Sequence, residues 1–362
     1  MNAFSPSRRS TRVVYLGPVA VGGGAPVRVQ SMTNTDTRDV DATLAQIAAL
    51  AQAGCEIARV AVPDARAAEA LVSVCRQSPL PVVADIHFDW RLAVAAVEAG
   101  VAGLRINPGN IGPQVDRVVD AAKAAGVPIR VGANSGSIPK DILERCGGPT
   151  ADALVEAALR HVRLLEERGF CAIKISLKSS SVPVTVAAYR RMSTLVDYPL
   201  HLGVTEAGTP LRGAVKSALG IGMLLAEGIG DTIRVSLTGD PLREMTVAWE
   251  ILRCLGLRRR GPEIVSCPTC GRTEIDLEAL ASAVEAHLAD VTESFTVAVM
   301  GCVVNGPGEA READIGIAGG RDCGIVFKKG AVIRKVRGEA LIPVFLQELD
   351  LFLAERRASE HC

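Results

Sequence analysis

The chain reads as a (β/α)8 TIM barrel followed by a small α+β domain, and three observations carry that reading. From residue 27 to residue 238 one unit recurs: an apolar strand ending in polar residues, a helical stretch, then a glycine-containing turn. The unit appears eight times in roughly 200–250 residues, the length and count of a barrel rather than of an open doubly wound sheet. No GxGxxG opens the first unit, which also argues against a dinucleotide-binding sheet.

Taken in order, the expected strands are 27–31, 56–62, 81–87, 103–107, 128–132, 172–176, 200–203 and 232–236. Helices are expected over 40–53, 66–77, 90–99, 115–125 and 153–168, with glycines at 54, 100, 126, 169 and 230 marking helix-to-strand turns. The interval between the fifth and sixth strands is long, and 137–149 reads as an extra loop near the barrel mouth. Residues 1–11 are charged and lack an apolar h-region, so they read as a frayed tail and not a secretory signal. The barrel is expected over 12–256, a basic Pro/Gly linker over 257–262, and a domain of different grain over 263–362. In that last domain the pattern predicts strands 263–266 and 296–300, a helix 276–288, short strands 315–318 and 324–327, and a final helix 340–355.

The totals fit this architecture and exclude others. Hydrophobic residues make up 48% of the chain but aromatics only 3%, which suits small-residue strands packed under amphipathic helices. Forty basic and forty acidic residues cancel, so no global field draws nucleic acid or an anionic membrane. No apolar run approaches the ~20 residues that span a bilayer. Ten cysteines without dense spacing or an export signal read as cytoplasmic thiols.

In a TIM barrel, function collects at the C-terminal ends of the strands. Here Arg59, Arg105, Arg130, Lys174 and Arg234 are expected to converge on that rim. Like charges repel unless an anion is present, and guanidinium forks match phosphate oxygens. Asn107, Asn134, Ser135, Ser176 and Ser236 add neutral donors. The substrate expected is therefore small and carries two phosphates or one diphosphate. Asp85, His87 and Glu206 are the titratable candidates for proton transfer.

The second domain carries Cys267-Pro-Thr-Cys270 and, later, Gly301-Cys302-Val-Val-Asn305-Gly-Pro-Gly-Glu309. Two cysteines two residues apart reach one metal centre from a single turn, and a third thiol on a Gly-rich turn completes three ligands. This reads as an iron–sulfur site, a [4Fe-4S] cluster whose fourth ligand is Glu309, Cys323 or the substrate itself. A carboxylate is a hard, labile ligand on such a centre. Structural zinc is the alternative, but His287 lies mid-helix and is poorly placed to close that site.

Gln30-Ser-Met-Thr-Asn-Thr, Leu104-Arg-Ile-Asn-Pro-Gly-Asn110, Arg130-Val-Gly-Ala-Asn-Ser-Gly136, Gly203-Val-Thr-Glu-Ala-Gly208, the CPTCGR segment and Asn305-Gly-Pro-Gly-Glu309 together resemble the 4-hydroxy-3-methylbut-2-enyl diphosphate synthase family. The resemblance covers both domains and is to the two-domain bacterial form. It implies a two-electron reduction of 2-C-methyl-D-erythritol 2,4-cyclodiphosphate, with ring opening and loss of water, on the methylerythritol phosphate route to isoprenoids. It further implies electrons from flavodoxin or ferredoxin, Glu206 as proton donor, Asn305 as a donor from the second domain, and a homodimer. The rival reading is a phosphosugar aldolase or pterin-type transferase barrel bearing a structural zinc domain. An iron–sulfur sensor that binds a phosphorylated metabolite is the non-enzymatic one.

Overall fold

A computed structural model describes residues 7–302, 308, 312–321 and 323–360, and it divides into compact units over 1–258 and 259–362. The first unit opens with a hairpin, β1 (Val13–Leu16) against β2 (Val19–Gly22). Eight parallel strands follow: β3 (Arg28–Met32), β4 (Ile57–Ala61), β5 (Val82–Asp85), β6 (Gly103–Ile106), β7 (Ile129–Asn134), β8 (Ile173–Lys178), β9 (His201–Leu202) and β10 (Thr232–Ile233). Their order is β8-β7-β6-β5-β4-β3-β10-β9, and a parallel bridge between Ile175 and Leu200 joins the two ends into a barrel. All eight expected strands are present, each within a few residues of its expected bounds.

The helices form where their ends are signalled. Asp39, Asp64 and Asp89 accept backbone N–H bonds from Ala42, Ala67 and Arg91 at the starts of Val40–Gln52, Ala65–Gln77 and Trp90–Glu98. Gly126, at φ +66°, closes Val115–Ala125 in the left-handed region that glycine tolerates. The stretch 137–149, expected as a loop, contains the short helix Lys140–Cys146.

Strand alternation divides the unit into two chemistries. One set of positions packs outward against the helices in a single apolar core that includes Ala58, Val60, Ile106, Val131, Ile173, Ile175 and Leu177. The other set, facing the bore, is polar and charged along most of its height. At the N-terminal end it is apolar: Ile57 and Val83 meet Val14, Leu16 and Val21 of the hairpin. The hairpin is thus a floor plug. Gly103 is part of the fit, since a Cβ there would lie 2.4 Å from Leu16 Cδ2.

Two boundary expectations change. Residues 8–11 are held, not frayed: Arg8 pairs with Asp231 at 2.8 Å, and Arg9 donates to the carbonyls of Ser193 and Tyr198. Arg258, expected in the linker, belongs to the barrel, donating to Val27 O at 2.8 Å and stacking over Trp249. All three arginines reach backbone carbonyls distant in sequence, which no local pattern signals.

The second unit is a five-stranded sheet, β11 (Glu263–Ser266), β12 (Thr296–Met300), β13 (Ile315–Gly319), β14 (Cys323–Lys328) and β15 (Ala331–Arg337), in that spatial order. The first three are parallel and the last two antiparallel. Helices Leu277–His287 and Leu341–Glu360 cover one face through Leu280, Val284, Phe345 and Leu349 on Val297, Val299, Ile317 and Val326. β15 was not expected, although Lys329-Gly330 carries its signal. A two-residue loop with φ of +48° and +78° is the twist-matched hairpin turn.

The plug gives a direct test. Gly103→Val should destabilise the barrel by about 1–3 kcal/mol through overpacking, read as a lower urea midpoint; an unchanged midpoint would mean that the hairpin is not seated on the bore.

Candidate active site

The site is built from the inward-facing positions of the barrel strands. Arg59 on β4 lies 3.8 Å from Asp85 at the end of β5, and its guanidinium also contacts Met32 Sδ at 2.9 Å. Arg105 on β6 donates to Asp85 Oδ1 at 3.0 Å and touches the His87 ring at 3.1 Å. Arg130 on β7 donates to Ser176 Oγ at 3.2 Å. Asn107 accepts the Gly132 N–H at 3.1 Å, which fixes its amide beside β7. Gly132 leaves room for this packing, because a Cβ there would sit 3.0 Å from Ser176 Oγ and 3.5 Å from Arg105 Nε.

On the far side, Arg234 meets Glu244 at 3.2 Å. Glu244 comes from helix Leu242–Cys254, is buried, and also accepts from Ser31 Oγ at 2.9 Å and Leu237 N at 3.1 Å. Lys178, last residue of β8, approaches His201 Nε2 at 3.5 Å, and His201 Nδ1 lies 2.8 Å from Thr232 Oγ1. Burial, followed by the charges of Lys178 and Arg130, holds the His201 ring far below its ordinary range and so uncharged. With Lys178 donating to Nε2, the ring hydrogen sits on Nδ1 and donates to Thr232.

Lys178 stands at the polar end of the sixth expected strand but is not among the five cations expected to converge, and Glu244 is not singled out from sequence. Lys178 shares the alternation of Lys174 and Ser176, a signal that was available. Glu244 lies one element beyond the strand end it serves, and nothing local points to it.

Lys174 is the residue that the structure moves. Expected at the rim, it occupies the second position of β8, four residues or about 13 Å of strand below Lys178. It lines a small floor cavity with Val14, Leu16, Val83, Leu104, Pro128 and Arg130. Its Nζ has no hydrogen-bond partner among the described residues, and only 3% of Lys174 is exposed. Burial first, then Arg130 and Arg59, lowers its ammonium to about 7.

The bore therefore holds six cations (Arg59, Arg105, Arg130, Lys174, Lys178, Arg234) answered by Asp85 and Glu244. Burial raises the Asp85 carboxyl, but Arg59, Arg105, Arg130 and His87 together outweigh it and leave it below the ordinary value. Orphaned donors remain on Arg105 Nε, Arg130 Nε, Arg234 Nε and the Gln30 amide, all buried. Buried polar groups without partners are rare, and these four residues share one bore with Lys174. The arrangement suits a multivalent anion.

Around the mouth, His87 is exposed, and burial followed by Arg105 and Arg59 lowers its basicity despite Asp85. Asn134 and Ser135 stand half-buried at the end of β7, and Ser236 half-buried beyond β10. Glu206 is exposed in the loop after β9 with φ +51°, a left-handed conformation uncommon for a side-chain-bearing residue. It has no hydrogen-bonding or ionic partner among the described residues.

In the second unit Cys267 directly follows β11 and Cys302 follows β12 by two residues, so both leave the same end of neighbouring parallel strands. Cys267 N donates to Val299 O at 3.3 Å, and Gly301 N donates to Cys267 Sγ at 3.2 Å. The CPTC turn is closed by Cys270 N to Thr273 Oγ1 at 3.0 Å and Thr273 N to Cys270 O at 2.9 Å. Cys323 begins β14 at the same end of the sheet and is exposed. Among the described residues no three His, Cys, Asp or Glu side chains gather closely enough to hold a metal ion. The donor set nevertheless suits a thiolate-bound iron–sulfur centre. Its three thiols share one sheet end, and one accepts a backbone N–H bond of the kind that favours thiolate. Asn305 and Glu309 lie outside the described residues.

Comparison with known proteins covers both units. A family model described as the GcpE TIM-barrel domain matches residues 11–249, and one described as the GcpE protein C-terminal domain matches 263–351. A Maridesulfovibrio salexigens protein named 4-hydroxy-3-methylbut-2-en-1-yl diphosphate synthase (flavodoxin) is 64% identical over 354 residues, 97% of this chain and 99% of the relative. A Geobacter sulfurreducens protein of the same name is 58% identical over 351 residues, 96% and 99% of the two chains. Among solved structures, dihydropteroate synthase from Thermus thermophilus aligns with TM-score 0.50 at 18% identity, over 67% of this chain and 99% of that one. That likeness is one of fold.

The floor lysine sets a pH dependence. Its folded value of about 7 lies below the unfolded value of ~10.4, so between them the unfolded chain binds more protons and stability rises with pH. Lys174→Met should therefore stabilise the protein most at or below pH ~7, with the gain fading toward pH ~10. Denaturant midpoints across that range check this, and a pH-independent difference would place Nζ in contact with a partner.

Proposed function

The chain belongs to the GcpE family, and on that premise we propose that it works as an oxidoreductase of the isoprenoid pathway. It catalyses the reductive ring opening and dehydration of 2-C-methyl-D-erythritol 2,4-cyclodiphosphate to (E)-4-hydroxy-3-methylbut-2-enyl diphosphate, with flavodoxin as the electron donor. The observation that carries the substrate class is the six-cation bore with its orphaned donors. A cyclic diphosphate brings two negative charges and several acceptor oxygens into it.

In this reading Arg59, Arg105, Arg130, Lys178 and Arg234 bind the diphosphate, with Asn134, Ser135, Ser176 and Ser236 as neutral donors. Asp85 stays ionised and orients Arg59 and Arg105, which makes it a positioning group and not a proton source. His87 buttresses Arg105 from the mouth. Glu206, unpartnered on a strained backbone, is the proton donor to the departing oxygen. Lys174 adds charge from below without reaching the mouth.

A [4Fe-4S] cluster held by Cys267, Cys270 and Cys302, with Glu309 as fourth ligand, would supply single electrons to the substrate. Asn305 serves as a donor from the second domain. What supports the site is the shared sheet end of Cys267 and Cys302 and the N–H bond to Cys267 Sγ.

Assembly as a homodimer and a cytoplasmic location belong to the same reading. Helix Pro210–Ala226 exposes Leu211, Val215, Leu219 and Met223, four apolar side chains spaced by four and hence on one face. No helix among the described residues is long and apolar enough to cross a membrane.

Protein purified without oxygen should contain iron and sulfide and turn over the cyclodiphosphate with reduced flavodoxin. Cys302→Ala should lose the iron. Lys178→Met should keep it while kcat/KM falls about a hundredfold, as expected when a buried charge partner is removed. Zinc in place of iron would sink the reading. Separately, Leu219→Arg should convert a dimer to a monomer by light scattering, and an unchanged mass would place any shared surface elsewhere.

A further inference from the structure

The edge of the second unit carries a feature that the substrate chemistry does not use. β15 is the last strand of its sheet, and all but one of its seven residues are exposed. Over residues 323–338 the sequence contains five basic residues and no acidic one. Two of the five are answered from helix Leu341–Glu360: Arg334 by Glu348 at 2.7 Å and Lys328 by Glu355. Lys329, Lys335 and Arg337 are exposed and have no ion pair with a described residue. Beside them Val332 and Ile333 stand 55% and 47% exposed, at a register shift where the strand bulges.

Lysines and a bulge on an edge strand also prevent strand addition. That purpose explains why the edge stays unpaired, but neither the absence of every carboxylate nor two exposed β-branched side chains. Apolar residues ringed by unanswered cations are the composition of a transient protein contact with an acidic partner. The location says which partner. Arg337 pairs in register with Cys323, at the sheet end from which Cys267 and Cys302 emerge. Three strand spacings of about 4.8 Å put that end of β15 only about 14 Å across the sheet from the end of β12.

We infer that the β15 edge, through Lys329, Lys335 and Arg337 around Val332 and Ile333, is the docking surface for an acidic one-electron carrier protein. The inference rests on the proposed redox function and adds where the electrons enter. Charge steering raises the encounter rate and is screened by salt, so carrier-supported turnover should fall steeply with ionic strength, whereas turnover supported by a small chemical reductant should not.

The test uses the full-length, cluster-loaded protein with reduced flavodoxin in one arm and dithionite with methyl viologen in the other. Lys335→Glu combined with Lys329→Glu should lower kcat/KM for flavodoxin about tenfold or more at low salt. It should also weaken flavodoxin binding by calorimetry and leave viologen-supported turnover unchanged. Lys335→Arg should behave as the parent. Unchanged flavodoxin kinetics in the double variant would overturn the inference, and so would an equal loss with both donors. Absence of turnover with either donor in the parent protein would instead overturn the function on which it rests.

Discussion

Mutual repulsion inside the barrel is the constraint around which the rest of the first unit is arranged. Two unit charges about 6 Å apart repel by roughly 3 kcal/mol at an effective dielectric near 20, and six cations share this bore with two carboxylates. The protein bears that cost by several devices. Asp85 is placed between Arg59 and Arg105, and Glu244 is brought in from a helix to face Arg234. Burial makes the two lysines easier to deprotonate, lowering Lys174 to about 7 and Lys178 well below its ordinary range. Apart from the apolar floor under the plug, the core that stabilises the fold lies outside the strands, between barrel and helices. A bore relieved of the need to supply hydrophobic packing is free to be a ligand cradle.

This division explains what was legible in the sequence. Strand and helix identities follow from apolar patterning and the glycines at helix-to-strand turns, because both are local. The polar ends of the strands announced a phosphate-binding mouth, because charge in an otherwise apolar strand needs a reason. What escaped had its cause elsewhere in the chain. Glu244 acts across a strand-to-helix turn, the hairpin plug earns its place only once the barrel closes over it, and Arg8, Arg9 and Arg258 bind carbonyls far away in sequence. Lys174 and Lys178 differ only in height along one strand. Type and face can be read from spacing, but depth depends on where the barrel floor lies.

The second unit repeats the theme at smaller scale. Its helices cover one face of the sheet, and its chemistry is gathered at one end, where Cys267, Cys302 and Cys323 all stand. Cys267 and Cys302 stand within two residues of the ends of adjacent parallel strands, and Cys270 lies in the turn that follows the first of them. The hydrogen bonds around Thr273 and Gly301 hold the connecting loops to the same scaffold.

The join between β8 and β9 bears on how this barrel behaves as a container. Every other neighbouring pair in the barrel is tied by at least two register pairs, whereas here there is one bridge, Ile175 to Leu200. Tyr189, from the helix Val182–Leu195, makes up the deficit by accepting from Leu177 N at 3.0 Å and donating to His201 O. Lys178 and His201 stand on either side of this closure. A phenol thus joins the amide bonds from Ile175 N to Pro199 O and from Thr205 N to Ser179 O in closing the barrel at this line. An anion bridging Lys178 to Arg234 across that line would act as a clasp, so that the cargo itself fastens the vessel around it.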